Sequence, residues 1–278
     1  MSVPVALSVA CLVSVALLLL ADRRGSGVGR VVAKLGASTC FVLVAVALGA
    51  LASTYGKLIL GALVLGWLGD ALLLSRAPKA FMGGLASFLL SHVLFAVAFL
   101  SGALSVQAMV GAALVAMLFG AGVLRWLMPH APKEFKGPVL AYVVVILFMC
   151  VTAAGHAFAS QRWAVLVGAL LFTASDLSVA RDRFVQEGFF NRLWGWPTYF
   201  VAQLVLAWTV ATAAAGSADE PFTGGTSVLT GAVSTAEAVG AAVGLPPAGL
   251  GVQPAHTPAP CAEPQGARGV LLDGLNIV

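Results

Sequence analysis

The chain has 278 residues, of which 60% are hydrophobic and only 9% charged, with a net charge of +4 and a mean hydropathy of +1.00. Soluble domains carry about 25% charged residues, so a water-soluble fold of this length is excluded and lipid must contact much of the outside. The modest positive charge fits basic loops at a membrane surface and needs no nucleic acid to explain it.

Apolar runs of about 20 residues, enough to cross a hydrocarbon core, predict an all-α polytopic transmembrane bundle with about eight spans. The expected spans are 3–20, 37–54, 58–75, 84–102, 105–127, 138–157, 163–180 and 194–215. The first run has no basic residue before it, whereas Arg23, Arg24, Arg30 and Lys34 follow it. That order suits a retained span rather than a cleaved leader. Most connections are short, so neighbouring helices should pack antiparallel, and frequent Gly, Ala and Ser allow close approach. Cys11, Cys40, Cys150 and Cys261 show no metal spacing and read as small apolar residues. Nothing in the sequence calls for a cofactor.

Lys and Arg set the orientation. Twelve fall after odd-numbered spans, against Lys57 and Arg162 after even ones. The odd loops are therefore expected in the cytoplasm and both termini on the other side, in the plasma (inner) membrane of a bacterium. The membrane domain is expected to cover residues 1–215. Residues 216–278, rich in Gly, Ala, Pro, Ser and Thr, cannot bury enough apolar area to offset chain entropy and read as a disordered tail. Within it, 231–250 is apolar enough for a short surface helix.

Ionisable groups inside a bilayer cost about 2.5–3.5 kcal/mol each on insertion scales and invite a functional reading. Asp70 lies near the end of span three, Asp176 near the end of span seven, His92 inside span four, Gln203 inside span eight and Tyr142 in span six. Each aspartate precedes a basic residue, Arg76 or Arg181, by five or six positions. Both spans run in the same direction, so both carboxyls should sit about 8–9 Å from the basic boundary at helical rise. Each is followed by a Phe-bearing loop and a helix with a polar residue at its middle, His92 or Gln203. The arrangement reads as a diverged 4+4 repeat that directs two carboxyls into one cavity. There, one should stay protonated as an acid while the other ionises as a base. Against this stand plainer roles: Asp70 and Asp176 as helix-bonding or Arg-paired groups, His92 as a packing residue, Ser87 and Ser91 as helix glue, His156 at the interface, and Asp182 and Glu187 as solvated loop charges. No G-x-S-x-G, CxxC, HExxH or Gly-rich phosphate loop is present.

The segments around the aspartates resemble the YhhN/TMEM86 family of membrane lysoplasmalogenases. The resemblance is carried by Gly69-Asp70-Ala71-Leu72 and Phe81 through Ser91-His92, by Pro138 with Tyr142, by Ala174-Ser175-Asp176-Leu177 with Arg183, and by Tyr199 with Gln203. Phe95 departs from the pattern, since a Tyr is common there. The resemblance covers residues 1–215 and implies hydrolysis of the vinyl ether bond of lysoplasmalogens, a lysophospholipid substrate held in the bilayer. The products would be a fatty aldehyde and glycerophosphocholine or glycerophosphoethanolamine.

Vinyl ethers hydrolyse by protonation of the vinyl carbon, which leaves an oxocarbenium ion for water to attack. That route needs an acid, an anion and a positioned water, and no nucleophilic Ser. Asp70 and Asp176 are the expected pair, with the division between acid and base open. His92 would orient one carboxyl or relay a proton. Tyr142, Tyr199, Ser91 and Gln203 would hold water or glycerol oxygens. Arg76, Lys79, Arg181 and Arg183 would form a phosphate-binding rim. The alternatives are a transporter of a small or lipid-like solute, whose repeats also carry midplane polar residues, and a metal-dependent hydrolase using Asp70, Asp176 and His92 as ligands.

Overall fold

In the computed structural model of the protein, which describes residues 1–75 and 77–218, eight α-helices follow one another. They are α1 Val3–Arg23, α2 Gly27–Ala47, α3 Thr54–Leu72, α4 Pro78–Leu100, α5 Val106–Leu127, α6 Lys133–Ser160, α7 Trp163–Ala180 and α8 Phe189–Ala218. Among the described residues, α1 to α7 are each long and apolar enough to cross a membrane. In lipid every backbone polar group needs an internal partner, which a helix supplies. The protein is thus a multi-pass integral membrane helical bundle. The expected disorder of 216–278 and the surface helix at 231–250 fall almost wholly outside the described residues, although α8 reaches Ala218.

Side chains set the breaks between helices. Ser26, Ser53 and Ser105 accept the backbone N–H of Gly29, Gly56 and Ala108 and so start α2, α3 and α5. Pro4 and Pro78 sit at the first turn of α1 and α4. Gly25 and Gly49 take φ of 67° and 81° at the turns before α2 and α3, a region that favours glycine. After α7 the helix widens into a π-turn at Arg181–Val185.

The second span differs from the sequence expectation. It begins at Gly27 rather than near residue 37, so Arg30 and Lys34 are helical and not in the loop. Ser26 caps a turn whose basic residues lower the local hydropathy but do not prevent a helix, and Lys34 is buried.

Neighbouring helices pair as four hairpins, α1–α2, α3–α4, α5–α6 and α7–α8, and α2 meets α3 as α6 meets α7. Across the halves α4 packs on α6 and α8 packs on α2, the pattern of a 4+4 repeat. The symmetry breaks at the outer helices. α8 also packs on α1, whereas α5 stands out from the bundle: 6% of its most apolar stretch is buried, against 50% for α4. Phe41, Phe95, Phe99, Phe172 and Phe200 fill the centre. Ser87 and Ser91 donate to the carbonyls of Leu65 and Ala62, at 2.6 and 2.8 Å, and so fasten α4 to α3. Such bonds between membrane helices are worth about 0.6 kcal/mol on average.

His156, expected at a helix end near the outer surface, is buried against protein and stacks on Tyr55, ring centres 6.2 Å apart. One further expectation is corrected. Asp182 is not a merely solvated charge. Its carboxylate accepts from Gly188 N, Asn191 Nδ2 and Arg192 Nη1. Arg192 also reaches the buried Asp22 carboxylate at 2.9 Å, and Asp22 accepts from Arg30 at 3.3 Å. This network joins α1, α2 and α8 to the connection between α7 and α8.

Candidate active site

Asp70 lies two residues from the end of α3 and is 2% exposed. Gly66, one turn before it, and Gly69, next to it, leave room for partners. A Cβ on Gly66 would stand 2.6 Å from Gln203 Nε2, and one on Gly69 would stand 2.7 Å from the Phe88 ring. Asp70 Oδ2 accepts from Ser38 Oγ at 2.6 Å and Tyr199 OH at 2.9 Å. Its other oxygen faces Lys34 Nζ at 3.2 Å. Tyr199 in turn accepts from Gln203 Nε2 at 3.0 Å. Asp70 is therefore a buried carboxylate with a cation and two hydroxyl donors.

Asp176, four residues before the end of α7, has a different set. Tyr142 OH, from α6, donates to Oδ2 at 2.6 Å. His92 Nε2, from α4, lies 3.7 Å from the same oxygen. His92 is fully buried against Phe172, ring centres 4.5 Å apart, and the Phe88 carbonyl lies beside it. Neither ring nitrogen makes a hydrogen bond of good geometry, and the buried Gln203 Oε1 lacks one as well. Buried polar atoms are ordinarily satisfied, and unsatisfied ones need an explanation such as a missing water or ligand.

A continuous line of contacts joins the two carboxyls. Tyr199 packs edge-on against Phe172 at 5.4 Å and Phe88 at 5.8 Å, and Phe172 meets His92. Tyr199 lies within electrostatic reach of Asp176 while bonded to Asp70. Asp70, Asp176, His92, Tyr142, Tyr199 and Gln203 are thus brought into one cluster.

Other expected residues fall elsewhere. Ser91 donates to Ala62 O and serves the α3–α4 contact. Lys79 is exposed at the start of α4, and Arg76 lies outside the described residues. Arg183 stacks its guanidinium 4.3 Å above the Phe81 ring. Phe81, Phe135 and Phe184 contact one another with centres 5.7–6.0 Å apart, an aromatic group at the basic end of α4 and α6. Among the described residues no three His, Cys, Asp or Glu side chains are grouped as a metal site.

Sequence reasoning missed Lys34 and Ser38. The signal was present: Lys34, Ser38, Phe41 and Ala45 recur at helical spacing along one buried face of α2.

The description of the YhhN family matches residues 29–210, which includes every residue of the cluster. The chain belongs to the YhhN family. Human Lysoplasmalogenase TMEM86B is 34% identical over 152 residues, 55% of this chain and 62% of that protein. Bovine Lysoplasmalogenase TMEM86A is 32% identical over 151 residues, 52% of this chain and 61% of the relative. A Lysoplasmalogenase of Mycobacterium tuberculosis is 34% identical over 154 residues, 50% of this chain and 58% of its own length. The chain thus spans less than two thirds of the curated relatives it matches. No solved structure matches it.

Proposed function

We propose that this YhhN-family chain is an intramembrane lysoplasmalogenase that hydrolyses the vinyl ether of a lysophospholipid by acid catalysis, with Asp176 as the acid. The observation that carries this reading is the unequal environment of the two carboxyls. Asp70 has the Lys34 cation beside it and two hydroxyl donors. Asp176 has a phenol and an imidazole. The Asp176 side chain is 18% exposed, against 3% for Asp70; away from water a carboxylate without a cation is costly even when partly exposed, whereas a paired one is tolerated. We therefore assign the proton to Asp176 and the standing negative charge to Asp70.

The reaction balances without a nucleophilic side chain. Asp176 gives its proton to the vinyl carbon remote from the ether oxygen, and positive charge develops on the carbon bonded to that oxygen. Water adds there and returns a proton to Asp176, leaving a hemiacetal. Collapse of the hemiacetal yields a fatty aldehyde and the glycerophospho-alcohol. Tyr142 holds the Asp176 carboxyl in place through Oδ2, which leaves the other oxygen for the substrate. Asp70 acts through Tyr199, whose hydroxyl it fixes towards the cluster, and as a source of negative potential. Gln203 Oε1, which lacks a partner of its own, and the His92 ring, whose Nε2 stands 3.7 Å from Asp176 Oδ2, are the groups that hold the water. Arg181, with Arg183 and Lys79 at the same basic end of the chain's helices, is the group to hold the phosphate, with the odd loops in the cytoplasm of a bacterial cell.

The test is aldehyde release by the purified full chain in detergent. A lysoplasmalogen is compared with the corresponding acyl lysophospholipid. Release of one aldehyde per vinyl ether consumed, with no fatty acid from the ester, is the expected result. Ester cleavage with no aldehyde would overturn the assignment.

A further inference from the structure

The displacement of α5 leaves an apolar groove between α5, α6 and α7. Its larger part, about 650 Å³, is lined by residues such as Ala112, Val115, Leu147, Cys150, Leu170 and Thr173. A second part, about 460 Å³, continues towards the basic end past Gly122, Trp126, Arg181 and Trp194. Phe119 and Leu177 border both parts. On α5, a Cβ added to Gly111 or Gly122 would meet nothing within 4 Å, so the space along this helix is open.

The ends of the groove differ in charge. Among the described residues no Asp or Glu lines either part, and Arg181 is the one charged residue of the lining. Arg181 donates to the neutral side-chain oxygens of Asn191 and Gln186. A guanidinium has five N–H donors and suits phosphate oxygens. Two tryptophans beside it match the amphipathic rings found where acyl chains give way to headgroups. From Leu166 to Arg181 the groove follows α7 for about 22 Å at 1.5 Å per residue.

We propose that this groove docks one single-chain phospholipid, with its phosphate on Arg181, its glycerol between Trp126 and Trp194, and its alkyl chain along α5 and α7. A groove about 22 Å long that ends at one guanidinium has the form of one extended chain with one headgroup. Identifying the occupant with the substrate rests on the proposed function; binding of a single-chain phospholipid does not. Asp176 precedes Arg181 by five residues, about 7–8 Å along the helix. The five bonds from phosphorus to the ether oxygen of a lysophospholipid span a similar length, so a docked lipid carries its ether at the depth of Asp176.

The test uses the full chain in lipid nanodiscs with a lysophosphatidylcholine whose chain bears a diazirine, and peptide mapping after photolysis. Labelling is expected to concentrate on residues 108–122 and 166–177 and to be displaced by unlabelled lysophosphatidylcholine. Diacyl phosphatidylcholine should displace it at least tenfold less effectively. Gly122→Leu, placed where a side chain has room, is expected to lower labelling at least fivefold with thermal stability unchanged. Arg181→Gln should lower labelling by the phospholipid at least threefold while leaving labelling by a diazirine-bearing fatty alcohol unchanged. Even labelling of all lipid-facing helices, or equal displacement by the diacyl lipid, would overturn the docking site. Aldehyde release is measured on the same preparations. Specific labelling without release supports the docking site while defeating the proposed reaction, and release without specific labelling does the reverse.

Discussion

The two halves of the bundle build the same frame around each aspartate and then fill it differently. Asp70 on α3 receives groups from the preceding helix, α2, and from the last helix of the other half, α8. Asp176 on α7 receives groups from its preceding helix, α6, and from α4, again the last helix of the other half. In the first half the preceding helix supplies a lysine and a serine, in the second a tyrosine. The opposite half supplies Tyr199 to one carboxyl and His92 to the other. The backbone repeat thus fixes where two carboxyls sit, and a few side chains decide that, among the described residues, one has a lysine beside it and the other a phenol and an imidazole.

The largest expected effect tests that inequality directly. Asp176→Asn should lower aldehyde release by about 10²–10⁴-fold, the usual contribution of a positioned general acid, while changing the melting temperature little. The converse holds for the lysine. Lys34→Met leaves a buried carboxylate unpaired and should cost about 3–5 kcal/mol of stability, read as a fall in melting temperature in detergent. The double variant Lys34→Met/Asp70→Asn removes both charges and should recover most of that loss. A single variant as stable as wild type would mean the pair carries no weight. Next comes the contrast between phenols. Tyr142→Phe removes a 2.6 Å bond to the acid and should lower kcat by about two- to tenfold, given about 0.5–1.5 kcal/mol for a hydrogen bond between neutral groups. Tyr199→Phe should lower it less, because Asp70 retains Ser38 and Lys34. The smallest effect belongs to the aromatic group at the basic end. Arg183→Gln loses a stacking contact of about 0.5–1 kcal/mol and should raise KM two- to fivefold with kcat unchanged.

Much of this was legible in the sequence because polar groups in apolar runs have few explanations. Asp70, Asp176, His92, Tyr142 and Gln203 stand out as polar groups within largely apolar spans, Tyr199 stands out only through the family resemblance, and the contacts described above link all six. Lys34 was obscured by its neighbours. With Arg23, Arg24 and Arg30 just before it, a fourth basic residue reads as part of a loop. Only the Ser26 cap and the buried face shared with Ser38 and Phe41 show that α2 has already begun. Ser91 shows the opposite error. Next to His92 it suggests a site residue, but a one-residue step turns it about 100° around the helix, and it faces α3 instead. The position of α5 could not be read at all. Its sequence is as apolar as that of the packed helices, and hydropathy does not tell a lipid-facing helix from a buried one.

The most direct measurement of the division between the carboxyls is aldehyde release in D₂O, with the aldehyde reduced to its alcohol as it forms. The wild-type protein should give a product with one deuterium on the carbon next to the former carbonyl, delivered from Asp176. Asp176→Asn, folded as wild type, should give no product above background. Product without deuterium at that carbon, or undiminished release by Asp176→Asn, would contradict the account.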